Sequence, residues 1–147
     1  YLDVLHGEVD ESQPWLEMNP ADMAHHLSRR ARGLPLWFSL ATHGTDAYAD
    51  AVERTLKVTQ QGADEIRSRP YLELLLEPDL SILVFRRLGW TPEDYQRWSD
   101  EQLYSGESFI VPSSWNGETV LRFCIVNPRT RRQHLIEILD SLAPEET

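Results

Sequence analysis

Trp115-Asn116-Gly117-Glu118-Thr119-Val120-Leu121-Arg122-Phe123-Cys124-Ile125-Val126-Asn127-Pro128 is the stretch whose reading decides the fold. Asn-Gly is the strongest short hairpin cue, because both central residues of a type I′ turn need positive φ. Beyond it, Leu121, Phe123 and Ile125 alternate with Arg122, Cys124 and Val126, the period of a strand. The two strands flanking this turn are expected over 109–112 and 119–126. Cys124 is the single cysteine, so no internal disulfide can form, and its strand setting predicts a buried, inert thiol.

Working outward, 71–76 and 82–85 are short apolar runs separated by the turn signal Glu77-Pro78-Asp79. Between the two strand pairs, Thr91-Pro92-Glu93 opens a helix that ends before Gly106. A last helix over 129–142 carries Leu135, Ile138, Leu139 and Leu142 on one face. Toward the N-terminus, a helix starts at Leu34, with Pro35 confined to its first turn and Leu36, Trp37, Leu40 and Ala41 at helical spacing. Trp37 and Phe38 are expected to join the core. Gly44 ends this helix and Thr45-Asp46 begins another, which runs to about Ser68 and stops at Pro70. Its apolar stripe is Tyr48, Val52, Leu56, Thr59, Ala63 and Ile66, with Gly62 pointing to a close contact. The order is loop, two helices, two strands, helix, two strands, helix. That is an α+β arrangement: a small antiparallel sheet of about four strands covered by helices.

The 147 residues suffice for one domain with its own core. A net charge of -10 argues against nucleic acid or an anionic membrane as partner, since neither polyanion is attracted. No apolar run approaches the ~20 residues needed to cross a bilayer. The start, Tyr1-Leu2-Asp3-Val4-Leu5-His6, has no basic region and no initiating Met, so no signal peptide is expected and the chain reads as a piece of a longer protein. The cations are nearly all Arg, Lys57 being the only lysine, and three of them, Arg29, Arg30 and Arg32, sit where a polar segment turns into the first helix. Guanidiniums grouped there suit a carboxylate or phosphate. His25-His26 is expected to be loop surface and no metal site, because adjacent histidines diverge and no third ligand has helical spacing to them. No Gly-rich phosphate loop, Ser-His-Asp order or Cys-x-x-Cys pair is present.

Four motifs stand in order along the chain: Tyr1-Leu2; Arg29-Arg30-Ala31-Arg32-Gly33-Leu34-Pro35-Leu36-Trp37; Glu73-Leu74 through Phe85-Arg86; and Val120 through Pro128. In this order the sequence resembles the C-terminal part of the group II pyridoxal-phosphate (PLP) amino-acid decarboxylases, the family of the aromatic amino-acid, histidine and glutamate decarboxylases. The resemblance implies a parent enzyme that releases carbon dioxide from an L-amino acid to give an amine. It implies that 1–28 is a catalytic-loop remnant and connector, and that 29–147 is the C-terminal small domain of a fold-type I PLP enzyme. By the same resemblance Tyr1 is the catalytic proton donor to the substrate carbon after carbon dioxide leaves. Ser28 and Arg29 are then substrate-binding, Ser28 lining the substrate end of the pocket and Arg29 lying near the carboxylate. Arg30 and Arg32 are expected to pair with acids of the large domain or to cap a helix. PLP, its Schiff-base lysine and its phosphate cup belong to the large domain upstream, so the fragment alone is expected to be inactive and to bind neither cofactor nor metal. Implied partners are that N-terminal large domain, a homodimer mate and the amino-acid substrate, in the cytoplasm. The alternative from the residues alone is a stand-alone α+β module that binds an anion or a protein through the arginines; a domain that belongs to a larger enzyme should instead expose an apolar face around Trp37.

Overall fold

Asn116 and Gly117 both adopt positive φ, 50° and 82°, as a type I′ hairpin requires. They join β3 (Ser113–Trp115) to β4 (Glu118–Cys124) in the computed structural model, which describes residues 30–144. The other elements are α1 (Gly33–Arg67), β1 (Leu72–Leu74), β2 (Ile82–Arg87), α2 (Pro92–Ser105) and α3 (Arg132–Asp140). The four strands form one antiparallel sheet in the order β1-β2-β4-β3. This is the small α+β fold that the order of elements predicts.

The chain's internal contacts fall into two units, Tyr1–Thr42 and His43–Thr147. Close to that division Gly44 interrupts α1 with φ 78° and ψ 163°, a backbone region that only glycine occupies readily. The helix break expected at Gly44 is therefore present.

Within the second unit, register decides which side chains are buried. Leu83 faces Phe123 and Phe85 faces Leu121 across β2 and β4, and all four are buried on the helix-covered side. Phe85 and Phe123 meet edge to face at 4.9 Å. Ala63 and Ile66 of α1, Tyr95 and Trp98 of α2, and Leu135 and Leu139 of α3 complete this core. Gly62 explains how close α1 can lie: a Cβ there would stand 2.7 Å from Leu83 and 2.8 Å from Leu135. The expected close contact is thus with a strand and a helix at once. Only the later part of the α1 stripe is covered, since Thr59, Ala63 and Ile66 are buried while Val52 is exposed.

Local chemistry sets the ends of α2. Thr91 and Asp94 form a reciprocal capping box, Pro92 follows the cap, and Gly106 closes the helix in the left-handed conformation. Three expectations need correction. Cys124 is exposed, because the alternation that buries Phe123 and Ile125 turns its neighbour to the other side of the sheet. Residues 109–112 are not paired as a strand; β3 begins only at Ser113. The last helix starts at Arg132, not 129, because Asn127 accepts the Arg129 and Thr130 amides in a turn that uses those residues.

An ion-pair network ties α1 to the end of the domain. Glu65, with a side chain only 12% exposed, accepts from Arg69 at 2.7 Å and from Arg132 at 2.8 Å, and Arg69 also reaches Asp140 at 2.6 Å. The two guanidiniums hold the Glu65 carboxyl below its ordinary range. A carboxyl depressed in the folded state stabilises above its unfolded pKa, and that contribution is lost as pH falls through the folded value. Glu65→Gln should therefore cost about 1–2 kcal/mol at neutral pH by thermal unfolding. The gap to the unsubstituted chain should close as the pH falls below the carboxylate range of about 4.3.

Candidate functional site

Tyr1, Ser28 and Arg29, the residues to which the sequence assigns chemistry, lie outside the described residues, as do His25-His26 and the 28/29 boundary. What is described of the basic block begins at Arg30. The chain turns into α1 there, with the Arg32 amide donating to the Arg30 carbonyl at 2.8 Å and the Leu34 amide to the Ala31 carbonyl at 3.0 Å. Arg30 and Arg32 are exposed and line an open concavity with Leu34, Pro35 and Phe38. Neither forms an ion pair or a side-chain cap among the described residues, contrary to the helix-cap expectation.

Trp37 and Phe38 follow, in edge-to-face contact at 5.0 Å, and they are 60% and 55% exposed. Leu34 and Leu36 are exposed beside them in sequence. The expectation that Trp37 and Phe38 are core is thus corrected. Helical spacing of apolar residues says that a face wants cover, not what supplies it.

A second surface is the side of the sheet that faces away from the helices. Glu73 and Arg86, Val84 and Arg122, and Ile82 and Cys124 are cross-strand pairs on this outer face. Arg86 bridges Glu73 at 2.7 Å and Glu118, drawing β1, β2 and β4 together. Hydrogen bonds to those two carboxylates raise its pKa further. Arg122 is exposed and has no carboxylate partner among the described residues. Next to it stand the exposed Cys124 thiol and Ile82. In the sequence Arg86 and Arg122 look alike, each a charged residue at a strand position. Their difference depends on which acids lie across the sheet, and only register supplies that.

Arg87, one residue on, faces inward and closes the end of the domain. It lies over the rings of Tyr71 and Trp90 at 5.1 and 5.6 Å and donates to the Leu142 carbonyl at 2.7 Å. Tyr95 clamps the main chain of the same residue from both its amide and its carbonyl. These contacts use up their groups inside the fold.

A PLP enzyme needs a lysine for the Schiff base, and Lys57, the single lysine of the sequence, is exposed within α1. Among the described residues no group of three His, Cys, Asp or Glu is placed to hold a metal ion, and no helix is long and apolar enough to cross a membrane.

No protein-family model matches the chain. Its sequence relatives are amino-acid decarboxylases. The aromatic-L-amino-acid decarboxylase of Bacillus atrophaeus is 25% identical over 130 residues, which is 84% of this chain and 27% of that protein. The solved glutamate decarboxylase domain of a diaminobutyrate-pyruvate transaminase and L-2,4-diaminobutyrate decarboxylase from Vibrio parahaemolyticus is 28% identical, with a TM-score of 0.70 over 82% of this chain and 27% of that one. The fold is also that of Oryza sativa TDC, solved with PLP and tryptamine: 19% identity, a TM-score of 0.71, 84% of this chain and 28% of that one. The chain thus spans about a quarter of the length of the relatives it matches. The resemblance carried by the four motifs is upheld.

Proposed function

We propose that this chain, whose relatives in sequence and in fold are amino-acid decarboxylases, is the C-terminal small domain of a PLP-dependent L-amino-acid decarboxylase. The observation that carries the reading is that one quarter-length portion of such enzymes is matched by sequence and by architecture together. The cofactor and its lysine are supplied by an N-terminal large domain; bound there, PLP would provide an electron sink for the bond that breaks. This chain contributes groups at the edge of the pocket. Arg29 orients the substrate carboxylate, Ser28 shapes the substrate end and Tyr1 delivers a proton through its phenol. The parent works as a cytoplasmic homodimer, on an aromatic, acidic, diamino or histidine-like amino acid. The exposed Leu34, Leu36, Trp37 and Phe38 weigh against a stand-alone binding module, which would cover such a face.

The outer face of the sheet is proposed to lie against the large domain. It carries Ile82 and Cys124 in the open, and the helices already occupy the other side. Arg122 then passes from water into an interface. A guanidinium buried without a partner costs several kcal/mol. The covering side must therefore bring an anion to it, from an acid of the large domain or from the substrate.

The parent polypeptide, purified with its upstream region, should show PLP absorbance and release carbon dioxide from at least one L-amino acid of those classes. A parent with no lysine-bound cofactor would refute the assignment. The Cys124 thiol should react with a maleimide at least about tenfold more slowly in the parent than in the isolated chain, followed by mass spectrometry of its peptide. Arg122→Met should act in one of two ways. A KM increase of about tenfold or more with unchanged melting temperature assigns the anion to the substrate, and a lowered melting temperature with unchanged KM assigns it to the large domain. A variant altered in neither would remove Arg122 from the interface.

A further inference from the structure

Residues 109–112 alternate in exposure as a strand does, although no strand holds them. Phe109 is 74% exposed and Val111 56%, while Ile110 between them is buried, its carbonyl accepting from the Ser99 hydroxyl at 2.6 Å. Ser113 is opposite Val120 and Trp115 opposite Glu118; continuing that register puts Val111 opposite Arg122 and Phe109 opposite Cys124. The main chain of β4 is ready for them. The Ile125 amide donates to the Ser81 carbonyl on the β2 side, so by antiparallel alternation Phe123 and Leu121 also bond toward β2, and Arg122 and Cys124 face the other way. Yet no backbone hydrogen bond joins 109–112 to either residue. A groove of about 520 Å³ lies there, with Phe109, Val111, Arg122, Cys124, Leu135 and Ile138 among its lining.

Pro112 does not forbid pairing. It falls opposite Leu121, whose main chain bonds to β2, so its missing N–H removes no ladder bond. The pattern is that of a strand in register with an edge it does not touch.

We propose that 109–112 is the unformed half of β3, and that it zips onto Arg122 and Cys124 when the outer face of the sheet is covered. The inference rests on the reading that a large domain covers that face. In the chain by itself, pairing would set Phe109 and Val111 in a row with Cys124 and Arg122 on a surface open to water. The backbone would lose freedom with no apolar burial in return, and ladder bonds gain little over bonds to water. Covering the face buries both side chains and tips the balance toward the ordered strand. Completion of the sheet is thereby coupled to assembly, and the edge of β4 stays open to mispairing until then.

Residue-resolved hydrogen exchange on the isolated chain and on the parent polypeptide tests this. The amides of Phe109, Val111, Arg122 and Cys124 should exchange fast in the isolated chain, beside protected Leu121 and Phe123, and slow by about tenfold or more in the parent. If they stay fast in the parent while the Cys124 thiol becomes shielded, the face is covered without zipping and the proposal is overturned. If the thiol stays reactive as well, the docking reading itself has failed. Val111→Pro removes the amide that would donate to Arg122. It should leave the melting temperature of the isolated chain unchanged and lower that of the parent; an equal loss in both would overturn the proposal.

Discussion

Leu83, Phe85, Leu121 and Phe123 form one row of side chains on one side of β2 and β4, and the seating of α1 and α3 on that row is the contact on which the rest depends. It is possible because position 62 has no side chain. With the space at Gly62 taken by Leu83 and Leu135, the helix lies close enough for Ala63 and Ile66 to be fully buried. Interiors packed to this density transmit any added volume as strain, so the helix cannot shift along the sheet. The Glu65–Arg69–Asp140 and Glu65–Arg132 pairs then fix α1 to α3 at one edge of the same contact. At another, Arg87 and Tyr95 fasten β2 to the end of α3 and to α2.

Committing the helices to one side of the sheet leaves Ile82, Arg122 and Cys124 exposed on the other, where Val120 is buried. That side mixes apolar Ile82 and Val84 with a neutralised Arg86 and with Arg122, which has no carboxylate partner among the described residues. Such a surface suits a second layer that brings both apolar area and one negative charge. The exposed apolar start of α1 makes the same demand within its own unit.

Elements governed by local chemistry were legible in advance. Asn116-Gly117 must turn because few other pairs tolerate two positive φ angles in succession. Thr91-Pro92 must start a helix because the cap accepts an amide and the proline gives none up. Gly44 must break α1 for want of a side chain. Decisions that need two distant segments were not legible. The side of β4 on which Cys124 falls depends on which face the helices claim. The bridging of Arg86 by Glu73 and Glu118 depends on register across three strands, and the closing of Glu65 by Arg132 on a helix 67 residues away. The apolar spacing that starts at Leu34 makes a helix but leaves Trp37 and Phe38 exposed, because periodicity encodes the need for a partner and not its presence.

The sequence by itself determined the order of helices and strands, the turns between them, and through its motifs the kinship with amino-acid decarboxylases. Each of these is written in short-range backbone preferences or in residues met in a fixed order along the chain. Only the tertiary structure decided which face of the sheet is closed, which arginine is spent and which is left over, and that β3 stops short of the residues whose pattern extends it. Those outcomes turn on how much surface can be buried at once, and burial is a property of segments brought together in space.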